Sequence, residues 1–239
     1  MEKRNYSAVF KQVGELSQAE RAAMARLYLT YYDNTDEATF FRDLIEKTEV
    51  DVLYRNGVLT GFSTVLLYDA EWLGQKVRVA YSGDTIVRQD CWGQQSLPAA
   101  WLRRMGKFRA EEPSTPLYWF LLVKGHRTYR FLPSFAYAYH PDPKLIRPDL
   151  KSLADELAAR KFGKDYNRVT GVVEFKRSLG NLKEEIAYPS EREARNPAVR
   201  FFLEKNPGYQ RGHELVCLCP IAADNLKPFA RRIFEEESS

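Results

Sequence analysis

The order of polar and apolar residues in SAVFKQV (7–13) predicts a short strand. Ser17-Gln-Ala-Glu20 has the spacing of a capping box, in which a serine and a glutamate satisfy free N–H groups at a helix start. The apolar side chains of ERAAMARLYLTYY then recur at helical spacing, and Asp36 opens a second short helix, ATFFRDLIEK. DVLYRN and VLTGFSTVLLYDAEW flank Asn56-Gly57, a dipeptide that favours a tight hairpin because both residues accept positive φ. A second turn at Leu73-Gly-Gln75 leads into KVRVAYSGDTIV, which completes a three-stranded antiparallel meander. A polar turn around Trp92-Gly93-Gln94-Gln95 separates this meander from a helix over 97–110. Pro113 and Pro116 break the chain, and the nearly continuous apolar run PLYWFLLVKG predicts a strand buried on both faces.

The remainder is less regular. HRTYRFLPSFAYAY is partly helical and interrupted by Pro133, and Pro141, Pro143 and Pro148 mark a loop. DLKSLADELAARKF is an amphipathic helix and GVVEFKR a short strand. The charged stretch PSEREARNP (189–197) reads as a mobile loop, and PAVRFFLEKNPGY, ELVCLCPIA and LKPFARRIF as helix, strand and helix. A meander feeding one strand–helix–strand crossover predicts an α+β or mixed α/β fold.

Composition narrows the class. The 239 residues are 44% hydrophobic and 28% charged, a globular profile of one large domain or one domain with an added subdomain. The net charge of +4 arises from interleaved basic and acidic residues, which gives no dedicated nucleic-acid surface. No apolar run approaches a membrane span, and MEKRNYSAVF has no secretory hydrophobic region. The three cysteines, Cys91, Cys217 and Cys219, form neither a CxxC pair nor a disulfide framework, so a cytoplasmic protein with buried apolar thiols is expected. His140 and His213 have no partner at metal-ligand spacing, so no metal site is expected.

The stretch SGDTIVRQDCWGQQSLPAAWLRRM (82–105) runs strand, glycine-bearing turn, helix, a geometry that turns backbone N–H groups toward an anion. The element order around it, with VRQDCWGQQSL at 87–97, resembles the GNAT N-acyltransferases. Val87, Asp90 and Gly93 fall on that family's acyl-CoA turn, commonly V-x-P-x-Y-R-G-K-G-I-G, and Trp92-Gly93-Gln94 fits its W-G-Q variants. The resemblance covers about residues 7–140, within a donor-binding core of residues 1–140. Residues 141–239 are a C-terminal extension completing the same domain, with the last core strand near 214–222. It implies a central mixed, mostly antiparallel sheet flanked by helices. It also implies that a pantetheine arm lies along Thr85, Ile86 and Val87. Trp92, Gly93, Gln94, Gln95 and Ser96 would then receive the pyrophosphate. Gln89, Gln95 and Leu97 depart from the pattern, and a Cβ in place of a glycine keeps the backbone farther from a phosphate.

The activity so implied is transfer of an acyl group from a pantetheine thioester to an amine by direct attack. The amine must lose a proton, the oxyanion must be stabilised and the leaving thiolate must be reprotonated. Asp84 in SGDT stands where this fold places its base, or is a strand-end carboxylate capping local N–H groups. Tyr129, in YRFLPSF, is the nearest match to the family's thiolate-protonating tyrosine, with core packing as its other reading. His126 is a second candidate for proton transfer because imidazole titrates near neutrality. The co-substrate is acyl-CoA, or an acyl-phosphopantetheine presented by an acyl carrier protein. The altered glycine pattern and the aromatic supply of FLPSFAYAY and LYWFLLV favour long or carrier-bound chains. The acceptor is a small-molecule or peptide amine. The alternative is a non-catalytic binding module on the same fold.

Overall fold

A computed structural model describes residues 5–176 and 179–236. In chain order its first half holds β1 (Tyr6–Gln12), α1 (Gln18–Tyr31), β2 (Tyr32–Asp33), α2 (Glu37–Leu44), β3 (Glu49–Arg55), β4 (Val58–Trp72), β5 (Gln75–Val87) and α3 (Ser96–Glu111). There follow β6 (Leu117–Val123), α4 (His126–Tyr129), α5 (Phe131–Phe135), α6 (Pro148–Phe162), β7 (Tyr166–Asn167) and β8 (Val172–Val173). The chain ends with β9 (Asn181–Leu182), α7 (Glu184–Ala187), α8 (Glu191–Ala194), α9 (Pro197–Lys205), β10 (Glu214–Pro220) and α10 (Pro228–Glu235). This is the mixed α/β class the sequence predicts, with mostly antiparallel strands flanked by helices. The chain divides into two compact units, Met1–Thr30 with Asp36–Leu117 and Pro228–Ser239, and Tyr31–Thr35 with Tyr118–Lys227.

In the first unit β1, β3, β4 and β5 form an antiparallel array whose register follows from its turns. Asn56 and Gly57 sit at φ 51° and 79°, and Leu73 and Gly74 at 51° and 73°, the left-handed pair that matches strand twist in a two-residue hairpin. The predicted capping box is present: Glu20 N–H donates to Ser17 Oγ and Ser17 N–H to Glu20 Oε2. The Asp36 side chain likewise accepts from Thr39 N–H at 2.7 Å to start α2. One sheet face carries α1 and α2, where the Phe40 ring lies 5.1 Å from Tyr28 and 5.9 Å from Phe62. The other carries α3, whose Arg104 grips Glu49 of β3 at 2.7 and 2.8 Å. Phe40, Phe62, Met24 and Leu44 are fully buried, each contributing about 1.5–3 kcal/mol by leaving water.

In the second unit β6, β10, β8 and β7 are joined by antiparallel pairs. The expected strand over GVVEFKR is confined to Val172–Val173, with one further in-register bond from Glu174 N–H to the Asp165 carbonyl, and Arg177 lies outside the described residues. Pro148 opens α6 instead of remaining in the loop, since the first helical position needs no N–H. The stretch 189–197 is a correction to the expected mobile loop. Ser190 and Glu193 form a second capping box that starts α8. Arg127 of α4 then holds Glu193 at 3.0 Å through both Nε and Nη2. Cys217 and Cys219 are buried on β10, and burial raises both thiols, Cys219 to about 12.

Candidate functional site

The end of β5 carries an irregularity set by its partner. Ser63 of β4 faces Thr85 of β5, yet Val65 faces Ser82, so β5 spends an extra residue at Gly83–Asp84 opposite Thr64. Such a bulge interrupts the ladder, bends the strand and re-aims its side chains. Gly83 is required here by packing. A Cβ on it would lie 2.5 Å from Thr64 Oγ1 and 2.7 Å from Lys47 Cε. The Lys47 side chain is itself buried and fixed by Asp43, whose Oδ1 is 2.6 Å and carbonyl 3.0 Å from Nζ. Asp84, in the bulge, is half-buried, and Thr85 beside it is joined through Oγ1 to Ser63 Oγ at 2.7 Å. Ile86 turns inward opposite Phe62, and the Val87 carbonyl accepts the Trp92 Nε1–H at 2.8 Å.

The turn after β5 is closed upon itself. Cys91, Trp92 and Gln94 donate their amides to the carbonyls of Arg88, Gln89 and Cys91. Gly93 has φ 83°, which a side chain would strain. At the start of α3 the Gln94 side chain takes the Leu97 N–H at 3.0 Å, and Pro98 has no N–H to offer. Among the described residues this leaves Gly93, Gln95 and Ser96 as the turn's uncommitted amides. Asp90 bridges the side chains of Arg88 and Arg55 at 2.8 Å each, and these guanidiniums, Arg88 foremost, hold its carboxyl at about 2. Two arginines on one carboxylate leave a surplus positive charge at the turn.

Thus Asp84, Thr85, Ile86, Val87 and the segment Trp92–Ser96 come together along one strand, turn and helix of the first unit. His126 and Tyr129 belong to the second unit, at the two ends of α4. Tyr129 is fully buried among Phe201, Phe202 and Tyr139, and its hydroxyl donates to the Pro141 carbonyl at 2.8 Å. Burial raises its pKa far above that of a free phenol. A group that spends its hydrogen on a buried carbonyl is poorly placed to give it to a thiolate, and the core-packing reading describes it better. His126 is buried with neither ring nitrogen hydrogen-bonded among the described residues. Its Nε2 stops 3.5 Å from Glu193 Oε1, and burial lowers its pKa. Among the described residues no three His, Cys, Asp or Glu side chains cluster as metal ligands do, and no helix is long and apolar enough to cross a membrane.

Sequence reasoning passed over Asp51. It lies on β3 opposite Ser63, on the face toward α3, and is completely buried. Neither carboxyl oxygen has a hydrogen-bond partner among the described residues, and burial raises its pKa well above the usual carboxylate value. Asp51, Ser63 and Thr85 form one cross-strand row leading from the core to the half-buried bulge. Its signal was a carboxylate two residues into a strand that is buried on both faces.

No protein-family model and no curated protein matches the chain. Solved structures similar to part of this chain include a conserved protein of Enterococcus faecalis V583 described as a probable N-acyltransferase. The two are 14% identical over 56% of this chain, with a TM-score of 0.42. The match spans only 33% of the enterococcal chain. The GNAT family N-acetyltransferase YhbS of Escherichia coli, solved in complex with CoA, is 14% identical over 56% of this chain and 72% of its own, TM-score 0.39. FeeM, an N-acyl amino acid synthase from uncultured soil microbes, is 20% identical over 56% and 79%, TM-score 0.38.

Proposed function

We propose that the chain is a GNAT-type N-acyltransferase that moves an acyl group from a pantetheine thioester to an amine by direct attack. The observation that carries this reading is the bulged end of β5 at Gly83–Asp84 running straight into the Trp92-Gly93-Gln94 turn and α3. Apart from the two-residue β2 between the first two helices, the order β1, α1, α2, β3, β4, β5, α3 is the one the sequence resemblance implied. A bulge frees backbone groups of the strand for a ligand, and the turn places surplus positive charge and the amides of Gly93, Gln95 and Ser96 where phosphates would lie. In this reading the pantetheine arm runs along Thr85–Val87, and Asp84 takes the proton of the attacking amine. The reacting carbonyl lies near the bulge.

The closed turn also bears on the donor. With Leu97 N–H taken by Gln94 and no N–H on Pro98, a pyrophosphate gains fewer bonds than at a glycine-rich turn. We therefore assign preference to donors that bind through a long acyl chain or a carrier protein. The same closure favours a second reading, a binding module without catalysis. Mass spectrometry of the purified protein for coenzyme A or a pantetheine adduct is the first test. Thermal melts with acetyl-CoA and long-chain acyl-CoA are the second, since a ligand confined to the folded state raises Tm. A rise in Tm with turnover of an amine panel supports the enzyme, and a rise without turnover supports the module. No adduct and no shift with any thioester removes both.

A further inference from the structure

Several buried groups lie outside the assignments above, and Asp51 is the most anomalous. Burying a carboxyl without partners costs several kcal/mol, so retention of one in a well-packed sheet calls for a use. The proposed reaction leaves one task unfilled. Tyr129 donates to the Pro141 carbonyl, so the residue expected to protonate the departing thiolate is committed elsewhere. The row Asp51, Ser63, Thr85 supplies one. Its exposure rises in steps, from a fully buried carboxyl, through Ser63 at 5%, to half-buried Thr85 on the segment assigned to the pantetheine arm.

We propose that Asp51 is kept as a neutral carboxylic acid and delivers its proton through the Ser63 and Thr85 hydroxyls to the leaving thiolate. The inference rests on the acyltransferase reading. Asp51 touches no substrate and acts through the two hydroxyls. As the tetrahedral adduct collapses, its C–S bond breaks and the sulfur takes the Thr85 hydroxyl hydrogen. Thr85 takes that of Ser63 and Ser63 that of Asp51, which becomes a carboxylate. The proton that Asp84 removed from the amine returns along the row to restore Asp51, so the cycle closes with one amine hydrogen moved to sulfur. The Ser63–Thr85 step is already a 2.7 Å contact in which either oxygen can donate. The Asp51–Ser63 step joins directly opposed residues, whose Cβ atoms are about 4.5–5.5 Å apart in such pairs, within reach of a carboxyl rotation.

Apart from Asp84 beside Thr85, the charged side chains nearest Asp51 among the described residues have partners of their own. On the same face of β3, Glu49 is held by Arg104 and Gln12, and Arg55 is paired with Asp90. From α3, Arg104 is committed to Glu49 with Glu111 at 3.6 Å, and β1 opposes Asp51 with Phe10. Thr64, with its own unpartnered buried hydroxyl, neighbours Ser63 on the opposite face of β4 and is not in the row.

The test compares two acetyl thioesters with one amine. An alkyl thioester such as acetyl-CoA expels a basic thiolate that needs a proton, whereas an aryl thioester expels a stable one that does not. Asp51→Asn should lower kcat on the alkyl donor roughly 100-fold, the usual scale of a positioned acid, and leave the aryl donor within a few-fold. Ser63→Ala and Thr85→Val should show the same split, and all three are to be compared at equal fractions folded. Equal losses on both donors, or none on either, overturn the relay, because a purely structural residue cannot distinguish leaving groups. If the parent protein turns over neither thioester while failing to bind them, the acyltransferase reading itself fails, a result separable from a parent that works and a variant that shows no split. Where Asp51→Asn does not fold, Ser63→Ala carries the test: the split is expected there too, and its absence in a folded Ser63→Ala overturns the relay.

Discussion

Replacing Asp51 by asparagine should change how stability depends on pH in a direction the structure fixes. Burial raises the folded-state pKa of Asp51 well above its ordinary value of 3.8. Below that ordinary value both folded and unfolded chains hold the proton, and the stability associated with it is fully present. As pH rises the unfolded chain releases the proton while the folded chain keeps it, so stability falls until pH passes the folded pKa. Within that window the loss is about 1.4 kcal/mol per pH unit, the linkage slope for one proton. Glu20, Asp90 and Glu193 are depressed and act in the opposite sense, losing stability as pH falls through their folded values of about 2. They are present in both proteins and cancel in the difference. Urea melts of parent and Asp51→Asn at stepped pH values from about 5 upward should therefore show the variant gaining on the parent, by about 1.4 kcal/mol per pH unit for as long as folded Asp51 keeps its proton. The offset at any one pH also contains the cost of burying the amide, so the slope is the diagnostic quantity. A difference that stays constant from pH 5 to 7 would refute the picture of a neutral buried carboxyl.

Two shorter tests address the elements around it. Gly83→Ala drives a methyl into Thr64 Oγ1 and the anchored Lys47 stem, so it should destabilise the first unit by about 1–3 kcal/mol, read from thermal or urea melts; an unchanged Tm would mean that Lys47 gives way freely. Tyr129→Phe removes a hydroxyl that serves the Pro141 carbonyl, so stability should fall by about 1–3 kcal/mol with kcat retained. A loss of kcat at unchanged Tm would return Tyr129 to the role of thiolate acid.

The parts of the fold that could be read in the sequence are those specified by neighbours in the chain. Asn56-Gly57 announces its hairpin because both residues accept left-handed backbone, Gly74 marks the second turn although Leu73 also sits at positive φ, and Ser17 with Glu20 announces α1 because the two satisfy one another within four residues. The same local logic was available at Ser190 and Glu193, which repeat that spacing. There the surrounding charges suggested a solvated loop, and the side chain that anchors it, Arg127, lies far away in sequence. At the turn the sequence displays Gly93 and the helix start. It does not display that Gln94 folds back onto Leu97 N–H, because that depends on the rotamer of one side chain.

The polar row illustrates why a site can be invisible while its strands are plain. Asp51, Ser63 and Thr85 lie on three separate strands, and only the pairing register places them side by side. Because side chains alternate between faces, a one-residue slip of β5 would send Thr85 to the face of α1 and α2 and break the row. Two features hold the register: the two-residue turn at Leu73–Gly74, which fixes the outer half of the hairpin, and the bulge at Gly83–Asp84, which resets the inner half. Without the extra residue at Gly83–Asp84, Thr85 would be displaced from Ser63 and its hydroxyl would lose the 2.7 Å contact. The bulge therefore does two things at once, freeing the strand end that the proposed donor would meet and bringing the Thr85 hydroxyl into line with a buried acid.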